Sequence, residues 1–124
     1  MDVFEVLADA ARRRILEVLA HGPQPAGALV DLIRAERGIS QPAVSQHLRI
    51  LREHGFATVR SEGTRRIYAV DPAGLDRAEA ELARLRAPWT QRLDALHTEI
   101  ARGTRRARPG GAARPGGIRR KDVS

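Results

Sequence analysis

The sequence predicts a mainly α-helical domain that carries one small β-hairpin and ends in helix. Three observations point there. Apolar residues recur every three or four positions in four early segments, each bounded by Gly, Pro, Ser or Asp. The period then drops to two across FATVRS and RRIYAV, with SEGT between them. Beyond Asp71, apolar residues return at helical spacing and continue to Ile100.

The elements follow in order. Val3, Phe4 and Leu7 form the apolar face of a short first helix. Asp9 is a natural N-cap for a second, in which Ile15, Leu16 and Leu19 face inward. Gly22 and Pro23 stop it. Pro25 suits the first turn of a third helix, with Leu29, Leu32 and Ile33 inward and Gly38 at its end. Ser40 caps a fourth helix, where Pro42 is tolerated in the first turn and Val44, Leu48 and Leu51 make the buried stripe. Gly55 supplies its stop. The hairpin has Gly63 near its tip. Asp71 and Pro72 are an N-cap followed by proline at the first helical position, so a further helix begins there. Pro88 is expected to break or kink the run into two segments.

Composition excludes several chemistries. The 124 residues suit one domain with a modest core, here residues 1–102. No cysteine is present, which removes disulfides, thiolate metal ligands and Cys nucleophiles and fits a reducing cytoplasm. No apolar run is long enough to span a membrane, and MDVFEVLADAARRR does not read as a signal peptide. Phosphate-loop, nucleophile-elbow and HExxH motifs are missing, so no enzyme is expected. Asp94 and His97 share a helix face without a second pair upstream, so neither a metal nor a cofactor is expected. Of 22 basic residues only Lys121 is lysine, a bias that suggests GC-rich coding and a bacterial source.

The net charge of +7 is unevenly placed. Residues 103–124 are rich in Arg, Gly and Pro, lack apolar periodicity, and are expected to be a disordered basic tail. Residues 34–66 carry seven Arg against three Glu, whereas residues 71–99 are net acidic. The positive field of the folded part therefore sits at the fourth helix and the hairpin. Such a surface attracts nucleic acid, anionic lipid or acidic proteins, and charge alone does not choose among them. Double-stranded DNA becomes the expected partner only with the outward face of the fourth helix.

The fourth helix, ISQPAVSQHLRIL, is unusual on its outward side. Exposed helix faces usually mix Glu and Lys, but this one carries Gln41, Ser45, Gln46 and Arg49. Amides, hydroxyls and guanidinium groups match base edges in the major groove. The order helix, turn, helix, hairpin is that of a helix-turn-helix followed by a wing. Ser40, Gln41, Pro42, Ser45, Gln46, His47 and Arg49 are thus the candidate reading residues, and Arg60, Thr64, Arg65 and Arg66 the candidate wing contacts. His47 has two readings: a phosphate contact, or a structural histidine at the junction of helix and wing. The Arg12–Arg13–Arg14 run likewise reads as a backbone contact or as a solvated helix face.

LADAARRRILEVLAHG together with ISQPAVSQHLRILREHGFATVRSEGTRRIYAVDP resembles the ArsR/SmtB family of bacterial winged-helix repressors, over residues 3 to 102. The resemblance implies a homodimer that binds an imperfect palindrome and represses its own or neighbouring genes. It places the recognition helix on Ser40 to Glu53, base reading at Gln41, Ser45 and Gln46, and His47 at the family's SxHL position. Two departures stand out. LVDLIRAERGIS is roughly one helical turn longer than the family spacing, which should lengthen the third helix or its turn. The family's metal-binding cysteines are absent, as in its cysteine-free members, and the sequence names no inducer. The apolar residues Leu85, Trp89, Leu93, Leu96 and Ile100 form one seam, which with Val3, Phe4 and Leu7 is the expected dimer interface. Two rivals remain at this stage: an architectural protein that coats DNA without choosing a site, and a winged-helix module that docks on another protein.

Overall fold

The computed structural model describes residues 1–107, with side chains through residue 103. The elements are α1 (Val3–Leu7), α2 (Ala10–Leu19), β1 (Gln24–Pro25), α3 (Ala26–Arg37), α4 (Gln41–Glu53), β2 (Ala57–Glu62), β3 (Arg65–Val70) and α5 (Pro72–Ala107). The chain divides after Leu82 into two units: the helices α1 to α4 with the sheet and the first turns of α5, and the remainder of α5.

Local chemistry sets the boundaries. Asp2 and Glu5 form a reciprocal capping box on α1, with both bonds at 2.8 Å. Asp9 caps α2 through the N–H groups of Ala11 and Arg12. Gly38 ends α3 in the left-handed conformation, φ 66°, which an L side chain rarely adopts. The turn to α4 is then only Gly38, Ile39 and Ser40, so most of the stretch LVDLIRAERGIS is helix rather than loop. The Ser40 hydroxyl accepts the Ala43 N–H at 3.3 Å and starts α4.

The buried stripes of α2, α3 and α4 meet in one core. Ile15, Leu16 and Leu19 pack with Leu29 and Ile33 and with Val44, Leu48 and Leu51, and Val6 of α1 closes one side. Each such side chain contributes on the order of 1.5–3 kcal/mol by leaving water. Leu32, expected inward, is only half-buried and is not part of this core cluster. Phe56 is fully buried and ties two helix ends together: its N–H donates to Leu51 O at 2.8 Å, and its carbonyl accepts from Asp71 N at 2.9 Å.

Two differences from the sequence reading concern prolines. Pro25 lies outside α3: with Gln24 it forms a third short strand, so the sheet is β1-β3-β2 and antiparallel, with Gln24 opposite Tyr68 and Pro25 opposite Ile67. Proline is compatible with this place because β1 is an edge strand. Pro88 does not divide α5, which runs unbroken from Pro72 to Ala107. The missing Pro88 donor is outweighed there by flanks rich in Ala, Leu and Arg, all strong helix formers. α5 also continues past Gly103, where the tail was expected to begin; the rest of that tail, from residue 108, lies outside the described residues.

Candidate nucleic-acid interface

α4 is two-sided. Val44, Leu48 and Leu51 fill the core, while Gln41, Pro42, Ser45, Gln46, Arg49 and Arg52 are exposed. Spacings of three and four place Gln41, Ser45 and Arg49, with Pro42 and Gln46 beside them, along one outward strip. Gln46 Oε1 accepts a hydrogen bond from Arg49, so two polar side chains of the strip are paired with each other. Ser40 belongs to the helix start through its capping bond.

This strip forms one wall of an open groove of about 660 Å³. α3 forms another wall through Ala26, Val30 and Arg34, and β3 supplies Arg66 and Tyr68. Arg34, Arg49, Arg52 and Arg66 converge there, and Asp31 is the one acid among the lining residues. The groove is therefore electropositive, with amides and a hydroxyl between the cations. Arg34 and Arg52 were not among the residues singled out from sequence. Arg34 lies on a different helix, and only the packing of α3 on α4 brings it to this groove.

The wing is a two-stranded ribbon closed by Gly63 and Thr64, with Glu62 opposite Arg65 and Ser61 opposite Arg66. Gly63 has φ 64°, as a tight hairpin turn demands. Thr64 and Arg65 stand exposed at the tip. Arg60 pairs with Glu62 at 3.3 Å, and the Arg66 guanidinium lies over the Tyr68 ring, 5.8 Å from its centroid.

His47 is not on the outward strip. Its side chain is 17% exposed and turned toward α2: Nδ1 lies 3.1 Å from Arg12 Nη1, and Nε2 lies 3.8 Å from Asp9 Oδ1. Burial pushes the Asp9 carboxyl up, but the Arg12 N–H, the adjacent His47 ring, the Ala11 N–H and the Arg12 guanidinium together outweigh it and hold the group below its ordinary range. The three consecutive arginines of α2 also have internal partners. Arg12 is buried and donates to Val6 O at 2.7 Å and Glu5 O at 3.0 Å. Arg13 donates to Leu7 O and Ala8 O. Arg14 pairs with Glu36 of α3 at 2.9 Å, a hydrogen bond that holds the Glu36 carboxyl low and raises the Arg14 guanidinium.

In the second unit, Leu85, Trp89, Leu93, Leu96 and Ile100 are each about half or more exposed, Trp89 at 65%. In the first, Val6 is the buried residue of α1, while Val3, Phe4 and Leu7 are half-buried. Among the described residues, no three His, Asp or Glu side chains gather as metal ligands, and no helix is long and apolar enough to cross a membrane.

A helix-turn-helix with a polar, electropositive recognition face and an arginine-bearing wing defines a winged helix-turn-helix regulator of transcription. Comparison with known proteins gives the particular family. A helix-turn-helix domain family matches residues 7–60. The HTH-type transcriptional regulator Rv2034 of Mycobacterium tuberculosis is 42% identical over 90 residues, 73% of this chain and 78% of that protein. The crystal structure of a possible transcriptional regulator for arsenical resistance superposes with a TM-score of 0.62 at 37% identity, over 77% of this chain and 95% of that one. A solution structure of a homodimeric winged helix-turn-helix DNA-binding domain from Mycobacterium bovis, a possible ArsR-family regulator, matches with a TM-score of 0.51 at 27% identity, over 68% of this chain and 75% of that one. The chain belongs to the ArsR family of winged helix-turn-helix transcriptional regulators. Such proteins are DNA-binding regulators and not enzymes.

Proposed function

We propose that the chain is a homodimeric, site-specific repressor acting in the bacterial cytoplasm, whose two α4 helices enter successive major grooves of an imperfect palindrome. The observation that carries this reading is the outward strip of α4 set in a groove lined by four arginines. Gln41, Ser45, Gln46 and Arg49 read base edges, with Gln suited to adenine and Arg to guanine. Ser40 and Pro42 bring the N-terminus of α4 toward the backbone. Arg34, Arg52 and Arg66 meet phosphates, and Arg60, Thr64 and Arg65 extend the contact along the flanking duplex. His47 acts from behind the helix rather than on the bases.

Val3, Phe4 and Leu7 of α1 and the exposed seam of α5 supply the dimer contact. The homodimeric relative supports dimerisation as such. A dimer bound across a promoter excludes RNA polymerase, which makes repression the simplest outcome of occupancy. No cofactor enters the reading.

Selection of bound fragments from random-sequence duplex DNA, with the full-length chain at near-physiological salt, tests it. The expected result is a palindromic consensus whose half-sites lie about 34–36 Å apart. Binding of all sequences with equal affinity would move the protein to the architectural class. Weak binding indifferent to salt would instead favour a protein-docking role for α4.

A further inference from the structure

We propose that Arg12 and His47 are a positioning pair that seats the recognition helix against α1 and α2 only while the imidazole is neutral, so that site-specific DNA binding weakens on mild acidification. The inference rests on the DNA-reading role proposed for α4.

The geometry begins with a buried guanidinium. Arg12 is 8% exposed and joins three elements at once. Its Nε and Nη2 donate to Val6 O and Glu5 O in α1, and its Nη1 lies 3.1 Å from His47 Nδ1 in α4. A guanidinium has only donors, so in this contact Nδ1 is the acceptor. The neutral ring then carries its proton on Nε2, which faces Asp9 Oδ1 at 3.8 Å. Asp9 is itself fixed by the Ala11 and Arg12 N–H groups at 2.8 and 3.1 Å. The Arg12 contact therefore selects the tautomer, while Asp9 faces Nε2 from beyond hydrogen-bond distance.

Protonation removes the acceptor. Nδ1–H would stand 3.1 Å from an N–H of Arg12, donor against donor and cation against cation. The charged groups that meet the ring are Arg12 and Asp9, both at the start of α2. Glu5 of α1 presents its main-chain carbonyl to Arg12, while its carboxylate accepts the Asp2 N–H. Asp9 attracts the imidazolium, but from the longer distance and from a side chain 36% exposed. The charged ring must leave Arg12 to gain Asp9. His47 lies between Gln46 and Leu48, so its displacement shifts the strip that carries Gln46 and Arg49.

The sign of the effect separates this relay from general electrostatics. Acidification charges the histidines and by itself tightens binding to a polyanion. The relay predicts the opposite for the selected site. The test is the affinity of wild type and His47→Asn for the selected site and for random duplex, from about pH 8 to about pH 5.5, where histidines change charge. Asn keeps an oxygen near the Nδ1 position and does not titrate. Each protein is compared with its own affinity at the alkaline end. At the acid end the wild type is expected to lose about tenfold more specific affinity than the variant, within the limit of one decade per pH unit for a single proton. Parallel pH profiles, or a wild type that tightens more than His47→Asn, would overturn the proposal.

A second measurement needs no variant. The imidazole ¹⁵N shifts of the wild-type protein at about pH 8 should show the His47 proton on Nε2, the tautomer the Arg12 contact requires. A proton on Nδ1 would also overturn it. Lack of site preference at every pH would instead sink the DNA-reading role of α4, and this inference with it.

Discussion

At the scale of single residues, the reading role proposed for α4 rests on its outward strip. Gln46 and Arg49 are both exposed and bonded to each other, so under the reading proposed for α4 each exchanges that bond for a base edge on binding. Gln46→Ala is expected to reduce discrimination between the selected site and random duplex by roughly 1–3 kcal/mol, the range for a lost bidentate contact. Non-specific affinity should change little, since the groove keeps its four arginines. The check is the ratio of the two dissociation constants at fixed salt; an unchanged ratio would remove Gln46 from the reading set. The composition of this strip was legible in sequence because amides and hydroxyls on an amphipathic helix are a local pattern. The partners of His47 and Arg12 were not legible, because they lie 35 positions apart and meet only through the packing of α2 on α4. No periodicity distinguishes an arginine bonded to buried carbonyls from one in water.

At the scale of elements, most boundaries could be read from caps. Asp9, Ser40, Gly38 and Asp71 each act through a bond or a dihedral within a few residues of themselves, and the sequence reading located all four. What it missed was non-local. β1 is two residues long and exists because β3 offers it a partner. The continuity of α5 depends on how strongly its whole length favours helix, not on Pro88 alone. Gly74 illustrates the same dependence. It sits buried at the start of α5, and a Cβ there would lie 2.6 Å from Phe56 Cγ and 2.7 Å from Gly55 O. The first lies on a fully buried ring and the second on main chain, so neither yields easily. Gly74→Ala is expected to destabilise the first unit by about 1–3 kcal/mol, as overpacking does. Urea unfolding should show a lower midpoint at an unchanged slope. A variant as stable as the wild type would mean that α5 approaches Phe56 less closely than described.

At the scale of the whole molecule, the α5 seam is the feature the isolated chain leaves unexplained. Leu85, Trp89, Leu93, Leu96 and Ile100 recur at three- and four-residue spacing and remain about half or more exposed. Soluble monomers rarely leave so continuous an apolar face in water, whereas a second copy would bury it. Trp89 is the largest of these side chains, and the Arg92 guanidinium lies over its ring, 5.9 Å from the centroid. Because Trp89 is 65% exposed and outside the core cluster, replacing it should leave the first unit folded. Aspartate would place a charge in the middle of the seam and require its desolvation on association. Trp89→Asp is therefore expected to sediment as a monomer with the helical content of the wild type. A monomer holds one half-site at a time, so affinity for the full palindrome should fall by about a hundredfold or more, while affinity for an isolated half-site stays near that of the wild type. A Trp89→Asp protein that still sediments as a dimer would place the interface elsewhere, and the two-groove spacing of the operator would then need another origin.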